Sequence, residues 1–98
     1  MIKIRIKENN NKVEEISIIG HAMYDDFGKD IVCSSVSSIV ITTVNAIERI
    51  DKDSISYTEL PFNLKKEKDN EITNVLLINM IDLLKELQEQ YPKNITFL

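Results

Sequence analysis

The amino-acid sequence predicts an α+β fold with the element order ββαββαβ, in which two helices cover a mainly antiparallel sheet. Two features of the 98-residue chain support this prediction. Apolar and polar residues alternate in several short segments, which is typical of half-buried strands, and two longer segments carry apolar residues at helical spacing. A chain of this length is sufficient for one hydrophobic core, so we expect a single domain over residues 1–98.

The chain begins with a predicted β-hairpin. Isoleucines alternate with basic residues over residues 2–7, and a second alternating segment around residues 16–18 ends at Gly20. The polar residues 8–12 between these segments predict the turn. We therefore expect the second strand to end immediately before the only histidine of the chain.

A long helix is predicted after Asp30, whose carboxylate can accept hydrogen bonds from the free backbone N–H groups of a first helical turn. Apolar and β-branched residues follow at helical spacing over about six turns. They are Ile31, Val32, Val36, Ile39, Val40, Thr43, Val44, Ile47 and Ile50. Since Val, Ile and Thr have modest helix propensity, we expect packing against a sheet to supply most of the helix stability.

The second half of the chain completes the order of elements. Residues 54–70 contain two short alternating segments on either side of Pro61, which predict two strands, one of them at a sheet edge. Apolar residues at helical spacing over 72–91 predict a second helix that Pro92 ends. The segment 94–98 then predicts a last strand.

Composition excludes several classes of function. The formal net charge of -4 argues against a nucleic-acid-binding surface, which needs clustered Lys and Arg, although it suits a basic polypeptide substrate. One Cys and one His are too few for a structural zinc site, so we expect no metal and no cofactor. The apolar runs are interrupted before the ~20 residues that cross a bilayer, and the N-terminal segment is unlike a signal peptide. We therefore expect a cytoplasmic location without membrane binding.

The only histidine and the only cysteine, His21 and Cys33, lie twelve positions apart at the ends of two predicted elements. The N-terminus of a helix favours a thiolate by about 0.3 to 1 kcal/mol, and an imidazole within hydrogen-bond reach favours it further. The first-turn N–H groups can also hold an oxyanion. This pair predicts a catalytic Cys/His dyad, but a buried structural Cys and an unrelated surface His remain an alternative, because free Cys is often buried.

Three aspartates lie near this pair. Asp30 can either cap the helix or orient the imidazole, and capping requires only local geometry. We expect Asp25 and Asp26 to be solvated.

The connection between the two predicted elements carries further candidates. Gly28 provides a hinge, and Tyr24 and Phe27 can shield a site from water. Alternatively, the same segment is an ordinary surface loop whose two aromatic side chains pack onto the core.

The motif GHA, followed by GKDIVCSSVSSI, resembles the ribosomal-processing cysteine protease family Prp. The pattern of that family is a GHA segment, a short loop and G-x-DIVCAAVS at a helix start. The resemblance covers the motif closely and the order of elements over nearly the whole chain. It implies that His21 is the family histidine and Cys33 the nucleophile, with Asp30 as the motif aspartate and Gly20 and Gly28 as the motif glycines.

The resemblance also implies a function. Members of the family are bacterial cytoplasmic cysteine endopeptidases, generally dimeric, that remove the N-terminal extension of a large-subunit ribosomal protein before paired phenylalanines. The implied partners are that peptide and a second copy of the chain, without nucleic acid or membrane. Ser34 and Ser35 replace two alanines of the family pattern, which exchanges small residues for small residues. The alternative function is a non-catalytic ribosome-associated binding module.

Overall fold

The computed structural model describes residues 1–26 and 29–98. Its elements follow the predicted ββαββαβ order, so the predicted fold class is confirmed. The strands and helices are β1 (Ile2–Asn9), β2 (Lys12–Ile19), α1 (Ile31–Asp51), β3 (Ile55–Glu59), β4 (Phe62–Lys66), α2 (Glu71–Gln90) and β5 (Ile95–Phe97).

The strands form one sheet in the order β3-β4-β2-β1-β5. β1 pairs antiparallel with β2, β2 with β4, and β4 with β3. β5 pairs parallel with β1, with Ile2 opposite Ile95. The sheet is therefore mainly antiparallel, as predicted, and β3 lies at one edge.

The hairpin turn is narrower than the predicted segment 8–12. Asn9 and Lys12 are paired strand residues, and only Asn10 and Asn11 form the turn, with φ of 54° and 62°. A two-residue turn with two positive φ angles matches the right-handed twist of the flanking strands, and Asn tolerates this conformation better than most residues.

Both helices pack on the same face of the sheet. Alternate strand residues and one face of each helix form a single cluster of buried side chains, whereas Lys3 and Arg5 point to the opposite, exposed face of β1. The strand members of the cluster include Ile2, Ile4, Val13, Ile16, Ile55, Leu64 and Ile95.

The two helices begin at side-chain caps. Asp30 caps α1, as predicted. Asn70 caps α2 by accepting hydrogen bonds from the N–H groups of Ile72 and Thr73, so this helix begins at Glu71, one residue before the predicted segment.

α1 is long and apolar enough to cross a membrane, by length and composition alone. Its polar interruptions are therefore a weaker argument against a membrane span than the sequence suggested. Six of its side chains are buried in the core, namely Val32, Val36, Val40, Thr43, Val44 and Ile47. Packing on the sheet and on α2 thus gives the apolar face of α1 a structural role.

Truncation of the central core residue Leu64 should destabilise the fold strongly. Leu64 is 0% exposed, so Leu64→Ala should lower the free energy of unfolding by about 2 to 5 kcal/mol, through lost burial and the cavity left behind. Leu60, which is 97% exposed, is the matched control, and Leu60→Ala should cost less than about 0.5 kcal/mol. Urea denaturation measures both values, and equal effects would contradict the assigned core.

Candidate active site

The structure brings the thiol of Cys33 next to the segment that contains His21. Cys33 is the third residue of α1, and His21 follows the end of β2 by two positions. The backbone N–H of Ala22 donates a hydrogen bond to the Sγ atom of Cys33, with a distance of 3.2 Å. The residue adjacent to His21 therefore contacts the sulfur directly, and His21 and Cys33 lie at the two ends of the connection between β2 and α1.

Cys33 is half-buried and packs against the hydrophobic core. The residue as a whole is neither fully exposed nor fully buried. A hydrogen bond from a backbone N–H stabilises a sulfur anion more than a neutral thiol, because bonds to charged acceptors are stronger. The Ala22 N–H is thus in position to donate to negative charge that develops on this sulfur.

Asp30 joins the start of α1 to the preceding loop. Its Oδ1 atom accepts hydrogen bonds from the N–H groups of Val32 and Cys33, at 2.9 and 3.0 Å. Its Oδ2 atom accepts from Tyr24 and Asp25, at 2.9 and 3.3 Å. The predicted capping role is therefore observed, and the same carboxylate also holds the loop.

The charge of Asp30 is stabilised by these contacts. Burial raises the pKa of its carboxyl group, but the four backbone hydrogen bonds, from Cys33, Tyr24, Asp25 and Val32, together hold the pKa below its ordinary value. The side chain is buried, and all four donors are backbone groups that favour the ionised form.

The sequence predicts that the first-turn N–H groups of α1 can hold an oxyanion, but in the structure three of them already have other acceptors. Those of Val32 and Cys33 donate to the side chain of Asp30, and that of Ser34 donates to the Asp30 carbonyl at 3.1 Å. Because the cap already satisfies these groups, they are not free to bind a substrate oxygen in this conformation.

Gly20 allows the chain to turn sharply at the end of β2. Its φ is +89°, a conformation that residues with a side chain rarely adopt, and a Cβ atom there would overlap the carbonyl oxygen of Met1. The structure thus explains why this motif position requires glycine. The turn directs the chain from β2 toward the N-terminus of α1.

Ala22 anchors the segment after the turn. Its side chain is only 1% exposed, and its carbonyl oxygen accepts a hydrogen bond from the Nδ2 atom of Asn94, at 2.9 Å. The sequence reasoning missed both residues. A small apolar residue directly after the histidine of the GHA motif was the available signal for Ala22, whereas nothing local pointed to Asn94.

The side chain of His21 is exposed. Among residues 1–26 and 29–98, its imidazole makes no hydrogen bond to the thiol of Cys33. Its backbone position is nevertheless set on both sides, by Gly20 and by the buried Ala22. An exposed imidazole can rotate about its side-chain bonds without moving this backbone.

The remaining loop residues are placed as follows. Tyr24 packs edge-on against Tyr91 at the end of α2, with ring centroids 5.4 Å apart and an interplanar angle of 81°. Asp25 and Asp26 are exposed, as predicted. The predicted hinge Gly28 and the predicted shielding residue Phe27 lie outside the described residues. In the part of the chain that the structure describes, no three His, Cys, Asp or Glu side chains converge as metal ligands.

Acid should weaken the link that Asp30 makes between loop and helix. Because the pKa of its carboxyl is lower in the folded protein than in the unfolded chain, its stabilising contribution is complete above about pH 4 and is lost as the pH falls through the lower, folded value. Asp30→Asn keeps one acceptor oxygen but places an amide donor against two N–H groups. It should lower the Tm by about 4 to 8 °C at pH 7 and by much less near pH 2.

Thermal denaturation followed by circular dichroism between pH 2 and pH 7 measures this difference. Asp26→Asn is the matched control, since Asp26 is an exposed carboxylate in the same loop. A wild-type and an Asp30→Asn protein whose Tm values differ equally at both pH extremes would contradict the assignment.

The chain also matches a known protein family. Over residues 1–96 the chain matches the family described as Cysteine protease Prp. The Ribosomal processing cysteine protease Prp of Staphylococcus aureus (strain Mu50) is 30% identical over 101 residues, which cover 97% of this chain and 95% of that protein.

Two crystal structures of an essential ribosomal processing protease Prp from S. aureus are similar to this one. The complex with a covalently linked product peptide has a TM-score of 0.88 at 29% identity, and the match covers 99% of this chain and 97% of the other. The complex with a substrate peptide has a TM-score of 0.82 at 28% identity, with coverage of 100% and 98%. Sequence and fold thus match over nearly the full length of both proteins, and the chain belongs to the Prp family of cysteine proteases.

Proposed function

We propose that this cysteine protease is a ribosomal-processing endopeptidase that uses Cys33 as its nucleophile and His21 as its general base and acid. Its substrate is the N-terminal extension of a large-subunit ribosomal protein. The observation that carries the proposal is the hydrogen bond from Ala22 to the Sγ atom of Cys33, which holds the thiol beside the histidine segment. The relatives that bind substrate and product peptides support the substrate class.

The reaction begins with proton transfer from the thiol of Cys33 to the imidazole of His21. The sulfur attacks the scissile carbonyl carbon, the C=O electron pair moves to oxygen, and collapse of this intermediate breaks the C–N bond. His21 gives its proton to the leaving amine. Water then attacks the thioester, which releases the carboxylic acid product and restores the thiol.

His21 must turn toward the sulfur for the first step. Its exposed side chain has room to do so, and its backbone is already held next to the residue that contacts Cys33. The oxyanion requires donors other than the N–H groups of Val32 and Cys33, which Asp30 occupies.

Charge supports a basic polypeptide as substrate. The protein has a formal net charge of -4, and two exposed aspartates, Asp25 and Asp26, follow the His21 segment. Carboxylates near a binding site attract cationic ligands and raise their rate of encounter at low ionic strength. Membership in a protease family argues against the alternative function, a non-catalytic binding module.

The proposed Cys/His dyad can be tested by mutation. Because the chain has one cysteine, alkylation reports on Cys33 alone. Cys33→Ala should abolish cleavage of a peptide that spans the ribosomal-protein extension. His21→Ala should slow cleavage by roughly 100- to 10,000-fold, the usual contribution of a general acid or base, and should slow alkylation of Cys33 near neutral pH. Mass spectrometry measures both cleavage and alkylation.

Met23→Ala is the control for His21→Ala, because Met23 is an exposed residue of the same segment, and its alkylation rate should equal that of the wild type. Unchanged alkylation and turnover in His21→Ala would exclude the imidazole as partner of the thiol. Continued cleavage by Cys33→Ala would exclude the nucleophile.

We also propose that the protein is a homodimer. The support is an open groove between α1 and α2, with a volume of about 570 Å³, where Ile31 and Leu83 expose 52% and 39% of their surface. Exposed apolar side chains on two neighbouring helices favour burial against another surface, and a symmetric pair of copies is the commonest solution.

Sedimentation velocity at micromolar concentration should therefore show a dimer. Leu83→Glu places a charge in the groove and should shift the protein toward monomer, because burying an unpaired carboxylate is costly. Leu60→Glu, at a fully solvated position, should leave the dimer intact. A monomeric wild type would exclude the proposal.

A further inference from the structure

Asn94 is connected to the thiol of Cys33 through one intervening residue. Its Nδ2 atom donates to the carbonyl oxygen of Ala22 at 2.9 Å, across a separation of 72 positions in the chain. The N–H of Ala22 donates to the Sγ atom of Cys33 at 3.2 Å. Ala22 thus accepts a hydrogen bond from Asn94 through its carbonyl oxygen and donates one to Cys33 through its N–H.

The backbone of Asn94 is itself fixed by two regular elements. Its carbonyl oxygen accepts a hydrogen bond from the N–H of Ile2 at 2.8 Å, and its N–H donates to the carbonyl oxygen of Tyr91 at 3.0 Å. Ile2 begins β1, the strand that pairs with β5, and Tyr91 is the C-terminal cap of α2. Asn94 lies in the short turn between α2 and β5, and these two bonds tie that turn to the sheet and to the end of the helix.

Two restraints on Ala22 hold its backbone near Cys33. Its methyl group is buried, which restricts the position of the Cβ atom, and Asn94 holds its carbonyl group by a hydrogen bond. With these two substituents of the tetrahedral Cα atom held, the third, the backbone nitrogen, is held as well, and its N–H lies within hydrogen-bond distance of the Sγ atom of Cys33. The next residue, Met23, has a φ of 58°, so the loop leaves Ala22 in an unusual conformation that the asparagine bond also supports.

We propose that Asn94 is a positioning residue for the reaction, which holds the Ala22 N–H against the sulfur of Cys33 and so stabilises the thiolate before substrate binds. The inference rests on the proposed role of Cys33 as nucleophile. A donor whose orientation is set in advance stabilises developing charge without reorganisation, and its effect is greatest on an anionic acceptor.

The test uses Asn94→Leu, which preserves the shape and neutrality of the side chain but removes the donor. The rate of alkylation of the single cysteine is measured against pH, together with kcat/KM for peptide cleavage and the Tm. The midpoint of the alkylation curve should move to higher pH by about one unit, which corresponds to roughly tenfold slower alkylation at pH values below the midpoint. The value of kcat/KM at neutral pH should fall by a similar factor.

Asn63→Leu is the matched control. Asn63 is another half-buried asparagine whose Nδ2 atom crosses between strands, to Glu15 at 3.1 Å and to Ser17 at 2.9 Å, without contact to Cys33. This variant should lower the Tm and leave the alkylation curve in place. An Asn94→Leu protein that loses stability but keeps the wild-type alkylation curve would show that Asn94 only holds the fold together.

A measurement on the wild type avoids any dependence on folding of the variant. The N–H of Ala22 should be protected from hydrogen exchange in the folded protein, and exchange at the rate of an unstructured peptide would overturn the proposal. Failure of the proposed function can be told apart from failure of the proposal for Asn94. If Cys33 is not the nucleophile, Cys33→Ala will still cleave the peptide, whatever the result for Asn94.

Discussion

The carboxylate of Asp30 is the interaction on which the candidate site depends. Each of its two oxygens accepts two backbone N–H groups, one pair from the start of α1 and the other pair from the loop that follows His21. Without this anion, the helix would begin with unsatisfied donors and the loop would lack its attachment to the helix. Its lowered pKa is the electrostatic consequence of the same four contacts.

This use of Asp30 changes how the helix terminus contributes to chemistry. A carboxylate at the cap occupies the N–H groups that an oxyanion would need, and its negative charge offsets part of the positive end of the helix dipole. The stabilising donor for Cys33 comes from outside the helix, from Ala22. The helix therefore positions the sulfur, and the segment after β2 supplies its hydrogen bond.

Each of the three residues from Gly20 to Ala22 has a different structural role. Gly20 provides a backbone angle and a close approach that a side chain would prevent. Ala22 fills a buried position with a methyl group and uses both of its backbone groups. His21, between them, has a fixed backbone and an exposed side chain.

Local sequence determined the elements and the cap, because hydrophobic period and capping chemistry act over a few neighbouring residues. The helical period after Asp30 predicted α1 and hence the position of Cys33 in its first turn. The parallel pairing of β5 with β1 and the bond from Asn94 to Ala22 depended on tertiary structure. Their partners are separated by most of the chain, so no local pattern encodes the contact, and only the packing of both helices on one face of the sheet brings the two ends together.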